Sequence, residues 1–270
     1  MSGYPAGADY NVVGGGGLTV GAAGGWLQGV GLSALMRRLG TGIDNVLQFE
    51  VVTAAGDLVT ADACTNSDLF WALRGGGGGT FGVVVTAYYQ LHASTPIVEF
   101  VVGACFEGKD RAVRRKWVEF LIPRLLDMDD RWAGYTFVAA GLLFYFQGTQ
   151  AEAEATFIDA VRTFKSDNAY DDGDFSFGIR TATNYWALRQ NDETDPGGYP
   201  THPVSSRLVP REWVAADTSR AVEMLMSLKR SRHGVVLPLL PGWQSQPDRD
   251  GRYCRQSRHA QGDVSVQLLP

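Results

Sequence analysis

Between Ser67 and Tyr89 the chain reads SDLFWALRGGGGGTFGVVVTAYY. The glycines Gly75 to Gly79 invite comparison with a phosphate-binding loop. Such a loop needs G-x-x-x-x-G-K-[ST], with a strand before it and a helix after it. Here Thr80 and Phe81 follow the glycines, and the order is reversed. SDLFWALR reads as a short helix, with Thr65 or Asn66 at its N-cap, Asp68 facing the positive end of the dipole and Gly75 as the stop. FGVVVTAYYQL (Phe81 to Leu91) is β-branched and aromatic, and reads as a strand. The glycines therefore leave a helix C-terminus, whose partial negative charge repels phosphate and suits the Arg74 guanidinium. The expectation is a helix-to-strand connector whose backbone runs close to something flat or bulky.

Upstream, NVVGGGGLTVGAAGGWLQGVGLSA (Asn11 to Ala34) is the better anion candidate. Successive small residues expose main-chain N–H groups, and concave arrays of such groups bind phosphate. No basic side chain lies in the stretch, so the backbone would do the binding; a purely structural loop is the equal alternative. SALMRRLG predicts a short helix stopped by Gly40. In NVLQFEVVTAAGDLVTA the period-two pattern and the AAGD turn predict a β-hairpin. Asp44 and Asn45 read as turn caps.

Downstream, ASTP (Ala93 to Pro96) marks a boundary. DRAVRRKWVEFLIPRLLDM carries Val113, Trp117, Phe120, Leu121 and Leu125 at helical spacing, with a kink expected at Pro123. GYTFVAAGLLFYFQG predicts two strands. AEAEATFIDAVRTF places Phe157, Ile158, Val161 and Phe164 on one helical stripe, and REWVAADTSRAVEMLMSLKR predicts a further helix. Beyond Trp243 the sequence is polar and aperiodic, which predicts a disordered tail. The organisation expected is residues 1–95, residues 96–235 and a tail of residues 236–270.

With 270 residues, 45% hydrophobic and 20% charged, the chain has material for a folded core. A net charge of -5 argues against a nucleic-acid binder working through a global positive field. Cys64, Cys105 and Cys254 form no C-x-x-C pair, so three buried or inert thiols are expected and no metal site. No apolar run approaches membrane-spanning length. The first residues lack the basic and apolar regions of a signal peptide, so a cytoplasmic location is the default expectation.

Taken in order, T-V-G, the glycine loop, G-x-x-x-D-N-V, E-V-V-T-A-x-G and N-x-D-L-F-W-A-L-R-G-G-G-G-G-x-F-G-V-V resemble the FAD-binding domain of the vanillyl-alcohol oxidase and para-cresol methylhydroxylase (PCMH) superfamily. The stretch from Thr19 to Val85 is most similar to the berberine bridge enzyme-like oxidoreductases of fungi, and SSRLVPR (Ser205 to Arg211) adds a weaker likeness. The resemblance implies an α+β flavoprotein: the C-terminal half of a PCMH-type FAD-binding domain, then an antiparallel-sheet-and-helix substrate domain over the flavin ring. It implies oxidation of a small organic substrate by hydride transfer to flavin, with reoxidation by molecular oxygen, in secondary metabolism. Thr19, Val20, Gly21, Gly24, Gly25, Gly29 and Gly31 match the loop along the cofactor, and Val51 matches a strand position near the adenine.

The sequence also departs from the family pattern. It begins after the R-x-G-G-H loop, and His92, His202, His233 and His259 lie in no such motif. Gly17 and Leu18 stand where a bicovalent member carries its Cys, so any FAD would be held non-covalently. The family's G-G-G-H-S reads GVGLS here, and a β-branched Val30 is an outlier if that position needs positive φ. The closing segment is unlike the family's. Truncation at both ends is the expectation, and a non-catalytic remnant that retains no FAD is the alternative. In LLFYFQG, Tyr145 and Gln147 share one strand face and are the catalytic candidates, with Tyr185 a further tyrosine; Glu99, Glu119 and Asp127 read as solvated.

Overall fold

The computed structural model describes residues 10–17, 20–104, 111–137, 141–189 and 209–227, with the main chain of 236–238 and 264–267. The chain divides into two compact units between Ser94 and Thr95, inside the ASTP stretch.

The first unit is an antiparallel sheet of β2 (Val46–Val52), β3 (Leu58–Asp62), β4 (Val83–Tyr89) and β11 (Val264–Gln267), in the order β11-β4-β2-β3. The predicted hairpin is β2–β3, closing with Val52 opposite Leu58 across a turn in which Gly56 takes φ 88°. Phe49, Val51, Ala61, Val84, Ala87 and Tyr89 form the inner face, against Phe70 and Leu73 of α2 (Ser67–Leu73). Each large side chain so buried contributes about 1.5–3 kcal/mol. A two-residue ladder of β1 (Tyr10–Asn11) and β5 (His92–Ala93) closes the unit. The short helix α1 (Met36–Leu39) stops at Gly40, with φ 83°. Asn66 does stand at the N-cap of α2, in the left-handed region at φ 48°, but its side chain caps nothing. It donates instead to the Thr60 carbonyl at 2.7 Å.

The second unit holds the five-stranded antiparallel sheet β10-β7-β8-β6-β9. Its strands are β6 (Ile97–Ala104), β7 (Trp132–Phe137), β8 (Gly141–Gln147), β9 (Phe175–Ala182) and β10 (Val236–Pro238). One face packs Val98, Phe100, Val102, Trp132, Leu142, Phe144 and Phe146 against two helices. These are α3 (Arg111–Asp127) and a continuous helix made of α4 (Gln150–Ala153), a π-helical turn (Glu154–Ile158) and α5 (Asp159–Asp167). The predicted stripe of Phe157, Ile158, Val161 and Phe164 is buried there. Helix α3 runs through Pro123 to Asp127.

Three expectations change. The single helix predicted after Pro210 is two, α7 (Arg211–Ala216) and α8 (Thr218–Ser227), broken at Asp217, whose φ of -150° is extended. Two strands, β10 and β11, fall within residues 236–270, expected to be a disordered tail. Cys64 is neither buried nor a free thiol: it is exposed and disulfide-bonded. Among the described residues no helix is long and apolar enough to cross a membrane.

Candidate functional site

The glycine stretch upstream folds into a single π-helical turn, Ala22–Trp26. Trp26 fixes its position. A Cβ on Gly15, Gly31 or Gly42 would come within 3.1 Å, 3.1 Å or 2.9 Å of the indole, so these glycines form the slot for the ring. The indole N–H donates to the Leu32 carbonyl at 3.0 Å. The Tyr89 hydroxyl lies 3.0 Å from the Val13 carbonyl and 2.8 Å from that of Gly42, tying the loop to the sheet. Asp44 and Asn45 do cap the following turn. Asp44 Oδ2 accepts from the Thr41 N–H at 2.8 Å, and Asn45 Nδ2 donates to the carbonyls of Leu39 and Thr41 at 3.0 and 2.8 Å.

The two glycine segments lie side by side and run in opposite directions. The Gly77 N–H donates to the Gln28 carbonyl at 3.0 Å. A Cβ on Gly78 would lie 2.1 Å from the Gly24 carbonyl oxygen, and one on Gly75 would lie 3.9 Å from the Val30 side chain. The connector's neighbour is thus another backbone. Gly75, Gly77 and Gly79 are needed for their positive φ of 120°, 92° and 75°, which L side chains rarely adopt. Gly76 and Gly78 are needed for space. Arg74 is the C-cap of α2, its N–H donating to the Trp71 carbonyl at 3.2 Å, and its guanidinium stacks over Phe70 at 4.5 Å.

The residues matched to the cofactor loop separate into two groups. Gly21, Gly24 and Gly25 face open space where a Cβ would stand. Among the described residues no main-chain acceptor meets the N–H groups of Gly21, Ala22, Ala23 and Gly24. Val20 adjoins them, half-buried, and Thr19 lies outside the described residues. Gly31 instead is buried against Gly42 and Trp26, and the Gly29 N–H donates to the Gly25 carbonyl at 3.0 Å. Val51 sits in the middle strand with its side chain fully buried, flanked by Val59 and Val84. N–H groups that meet no main-chain acceptor among the described residues, beside glycines with open space, fit the phosphate-bearing part of a dinucleotide such as FAD.

Val30 holds φ 82°, the left-handed conformation in which a β-branched residue is strained. Its carbonyl accepts from the Ile43 N–H at 3.1 Å, and that of Gly31 accepts from the Gly42 N–H at 2.7 Å. These bonds and the indole slot hold the strained position.

In the second unit the sheet face opposite the core carries Glu99, Tyr145, Gln147 and Arg180 beside the apolar Ile97, Val101 and Leu143. Tyr145 and Gln147 share it, as alternation predicts. Register brings Glu99 opposite both Tyr145 and Arg180. Glu99 is not solvated as expected: it is 4% exposed. Both its oxygens accept from Arg180, from Nε at 2.6 Å and Nη2 at 2.9 Å. Tyr145 is also buried. Its hydroxyl bonds to the Glu99 carboxylate, lies 3.3 Å from Arg189 Nη1, and its ring meets Tyr185 edge-on at 5.7 Å. Burial first, then Tyr185 and Glu99, push the phenol's pKa up, which keeps the hydroxyl protonated. Gln147 Nε2 is buried without a partner. Glu119 and Asp127 are exposed, as expected. Glu99 and Arg180 are the residues that the sequence reading missed. The available signal was a carboxylate at an alternate position of the β-branched run IVEFVV.

No protein-family model matches the chain. It is 57% identical over 113 residues to the FAD-linked oxidoreductase easE of Arthroderma benhamiae, covering 42% of this chain and 22% of that protein. It is 40% identical over 149 residues to the FAD-linked oxidoreductase phmC of Phaeosphaeria nodorum, covering 53% of this chain and 34% of that protein. Among solved structures, the VAO-type flavoprotein MtVAO615 of Myceliophthora thermophila superposes with a TM-score of 0.62 at 24% identity, over 94% of this chain and 53% of that one. Physcomitrella patens BBE-like 1 gives 0.56 at 24%, over 67% and 37%. The chain thus spans about half of the first structure and matches 22% and 34% of these curated relatives. Its α+β architecture is that of the VAO-type, berberine bridge enzyme-like flavoproteins, and by sequence the chain is a relative of the fungal FAD-linked oxidoreductases.

Proposed function

We propose that the chain belongs to an FAD-dependent oxidoreductase that oxidises a small organic substrate. The first unit holds the cofactor non-covalently through the N–H groups of Gly21 to Gly24. The observation that carries this reading is that among the described residues those groups meet no main-chain acceptor, while Gly21, Gly24 and Gly25 keep the space beside them clear. When bound, FAD supplies the hydride acceptor, and oxygen is the class of oxidant that returns it to the oxidised state.

The sheet face of the second unit opposite its core handles the substrate. Tyr145, kept protonated, donates its one hydrogen to the Glu99 carboxylate and accepts a hydrogen bond from a substrate hydroxyl, so that as the hydride leaves, the substrate's proton passes to the phenol oxygen and the phenol's own proton to Glu99. Arg180 holds that carboxylate in place. Gln147 Nε2 is a donor on the same face. The test is to incubate the purified 270-residue chain with FAD, remove the free cofactor, and record the visible spectrum before and after denaturation. Retained flavin bands that lose their protein-induced structure on denaturation are expected. A colourless protein after saturation with FAD would refute the cofactor reading.

A further inference from the structure

Gln28 is 2% exposed in a loop whose neighbours Gly24, Gly25 and Gly29 are all exposed. Its side-chain Nε2 donates to the carbonyls of Ala23 at 3.0 Å and Gly24 at 3.3 Å. Its main-chain carbonyl receives the Gly77 N–H. Its Oε1 is buried with no partner. One residue therefore engages both glycine segments and the C-terminal carbonyls of the π-helical turn.

We propose that Gln28 is a positioning residue of the cofactor cradle, an inference that rests on the FAD reading above. A trans peptide sets the carbonyl of one residue and the N–H of the next in opposite directions. Drawing the carbonyls of Ala23 and Gly24 onto the Gln28 amide therefore turns the Gly24 N–H towards the open side. The same bonds hold the Gly24 carbonyl where Gly78 must pass it without a side chain. The energetics separate this role from ordinary stabilisation. Two neutral donated bonds give a modest net gain, and one buried acceptor left unmet removes a comparable amount. The amide is close to neutral for global stability, so its benefit is the local direction of the turn.

The test uses the full 270-residue chain and the variants Gln28→Met and Gln28→Glu. Gln28→Met keeps the volume and removes both polar groups. Its melting temperature should fall by only a few degrees, because the unmet Oε1 goes while the Ala23 and Gly24 carbonyls lose their donor. Exchange of the Leu27, Gly29 and Gly77 amides should quicken about tenfold or more, while the amides of β2 and β4 keep their protection. FAD, read by flavin fluorescence quenching, should bind about tenfold more weakly. Gln28→Glu sets a carboxylate against two carbonyl oxygens. Only its protonated form donates, so FAD affinity should recover as pH falls from about 8 to about 5, a recovery absent from Gln28→Met. A packing role alone predicts a lower melting temperature with parental affinity in the folded state and no pH recovery, and that result would overturn the proposal. Unchanged local exchange would overturn it too. If the parent takes up no FAD the cofactor reading fails, and local exchange alone then decides whether Gln28 holds the loop.

Discussion

The strain at Val30 can be weighed without its side chain confusing the measurement. Val30→Gly and Val30→Ala both delete the isopropyl group, so the packing lost from this 37%-exposed residue cancels between them. What remains is backbone preference. In ordinary helix or strand positions Gly is worse than Ala by about 0.5–1 kcal/mol. At φ 82° the alanine Cβ meets the carbonyl oxygen, which costs about 1–2 kcal/mol. Glycine escapes that cost but still loses about 0.4–1 kcal/mol through its freer unfolded chain. The difference inverts the usual order: Gly should exceed Ala by about 1 kcal/mol, which is roughly 2–4 °C in the melting temperature of a chain this size. Val30→Asn should fall near Gly, since asparagine tolerates the left-handed region. Urea unfolding of the three variants, read in the transition of the unit that holds residue 30, measures the order, and equal m-values exclude a denatured-state origin. Alanine equal to or above glycine would show that residue 30 relaxes out of the left-handed region and that the hydrogen bonds of Val30 and Gly31 do not hold it there.

Glycines that serve the fold should part from those that serve the ligand. Gly78→Ala drives a Cβ into the Gly24 carbonyl and should cost about 1–3 kcal/mol, whereas Gly24→Ala, which has open space, should stay within about 0.5 kcal/mol of the parent yet weaken FAD binding; equal melting shifts would refute the distinction. Arg180→Ala strands the buried Glu99 carboxylate and should cost about 2 kcal/mol, below the 3–5 kcal/mol of a fully buried pair because Arg180 is half exposed. Glu99→Gln should cost less, and chemical denaturation that reverses this order would count against the pairing. Asp129, held to about 2 first by its hydrogen bond to Arg131, and Glu152, held to about 2 first by the Thr149 N–H, have folded pKa values below their unfolded ones. Their contribution is present above about pH 4.5 and is lost as pH falls towards about 2. Arg131→Ala should flatten the Asp129 share of that loss and leave much of the Glu152 share, as a stability-against-pH series will show. His92 has its pKa lowered by burial and faces Asn45 Oδ1 at 2.5 Å, so stability should also fall as pH drops below about 6.5. His92→Gln should remove that slope, and its persistence would point to another titrating group.

The sequence carried the short-range elements well because their signals are local. The hairpin of β2 and β3, the helix before Gly75, the paired strands β7 and β8 and the stripe from Phe157 to Phe164 each follow from turn chemistry or periodicity within a dozen residues. It was also enough to tell that Gly75 to Gly79 join a helix to a strand and need a close neighbour. The neighbour itself was not legible, because Gly24 and Gly78 are far apart in sequence and meet only through folding. The same reason hid Glu99. A carboxylate flanked by valine and phenylalanine reads as the solvent side of a strand unless Arg180, 81 positions away, is known to stand beside it. The break at Asp217 escaped because helical spacing continues across it, and the disulfide at Cys64 because spacing alone excluded only the C-x-x-C chemistry.

The two units answer the same problem, presenting polar groups that the fold does not satisfy, by opposite means. In the first, side chains are removed: glycines let two backbones meet, and among the described residues the N–H groups of Gly21 to Gly24 meet no main-chain acceptor, which on the proposed reading leaves them for a ligand at little desolvation cost. In the second, side chains are added to a buried face, where an unpaired carboxylate would be expensive, so Glu99 is closed onto Arg180 and Tyr145. The first arrangement tolerates an empty site and the second does not tolerate a missing partner. The cofactor-free chain should therefore keep its glycine segments folded, and FAD should raise its melting temperature only by the mass-action contribution of binding, while Arg180→Ala should lower stability at every FAD concentration. Amide exchange of Leu27, Gly29 and Gly77 without FAD, set beside calorimetric scans over a range of FAD concentrations, tests that asymmetry. Loss of protection at those amides in the cofactor-free chain would mean that the glycine segments depend on the ligand for their shape.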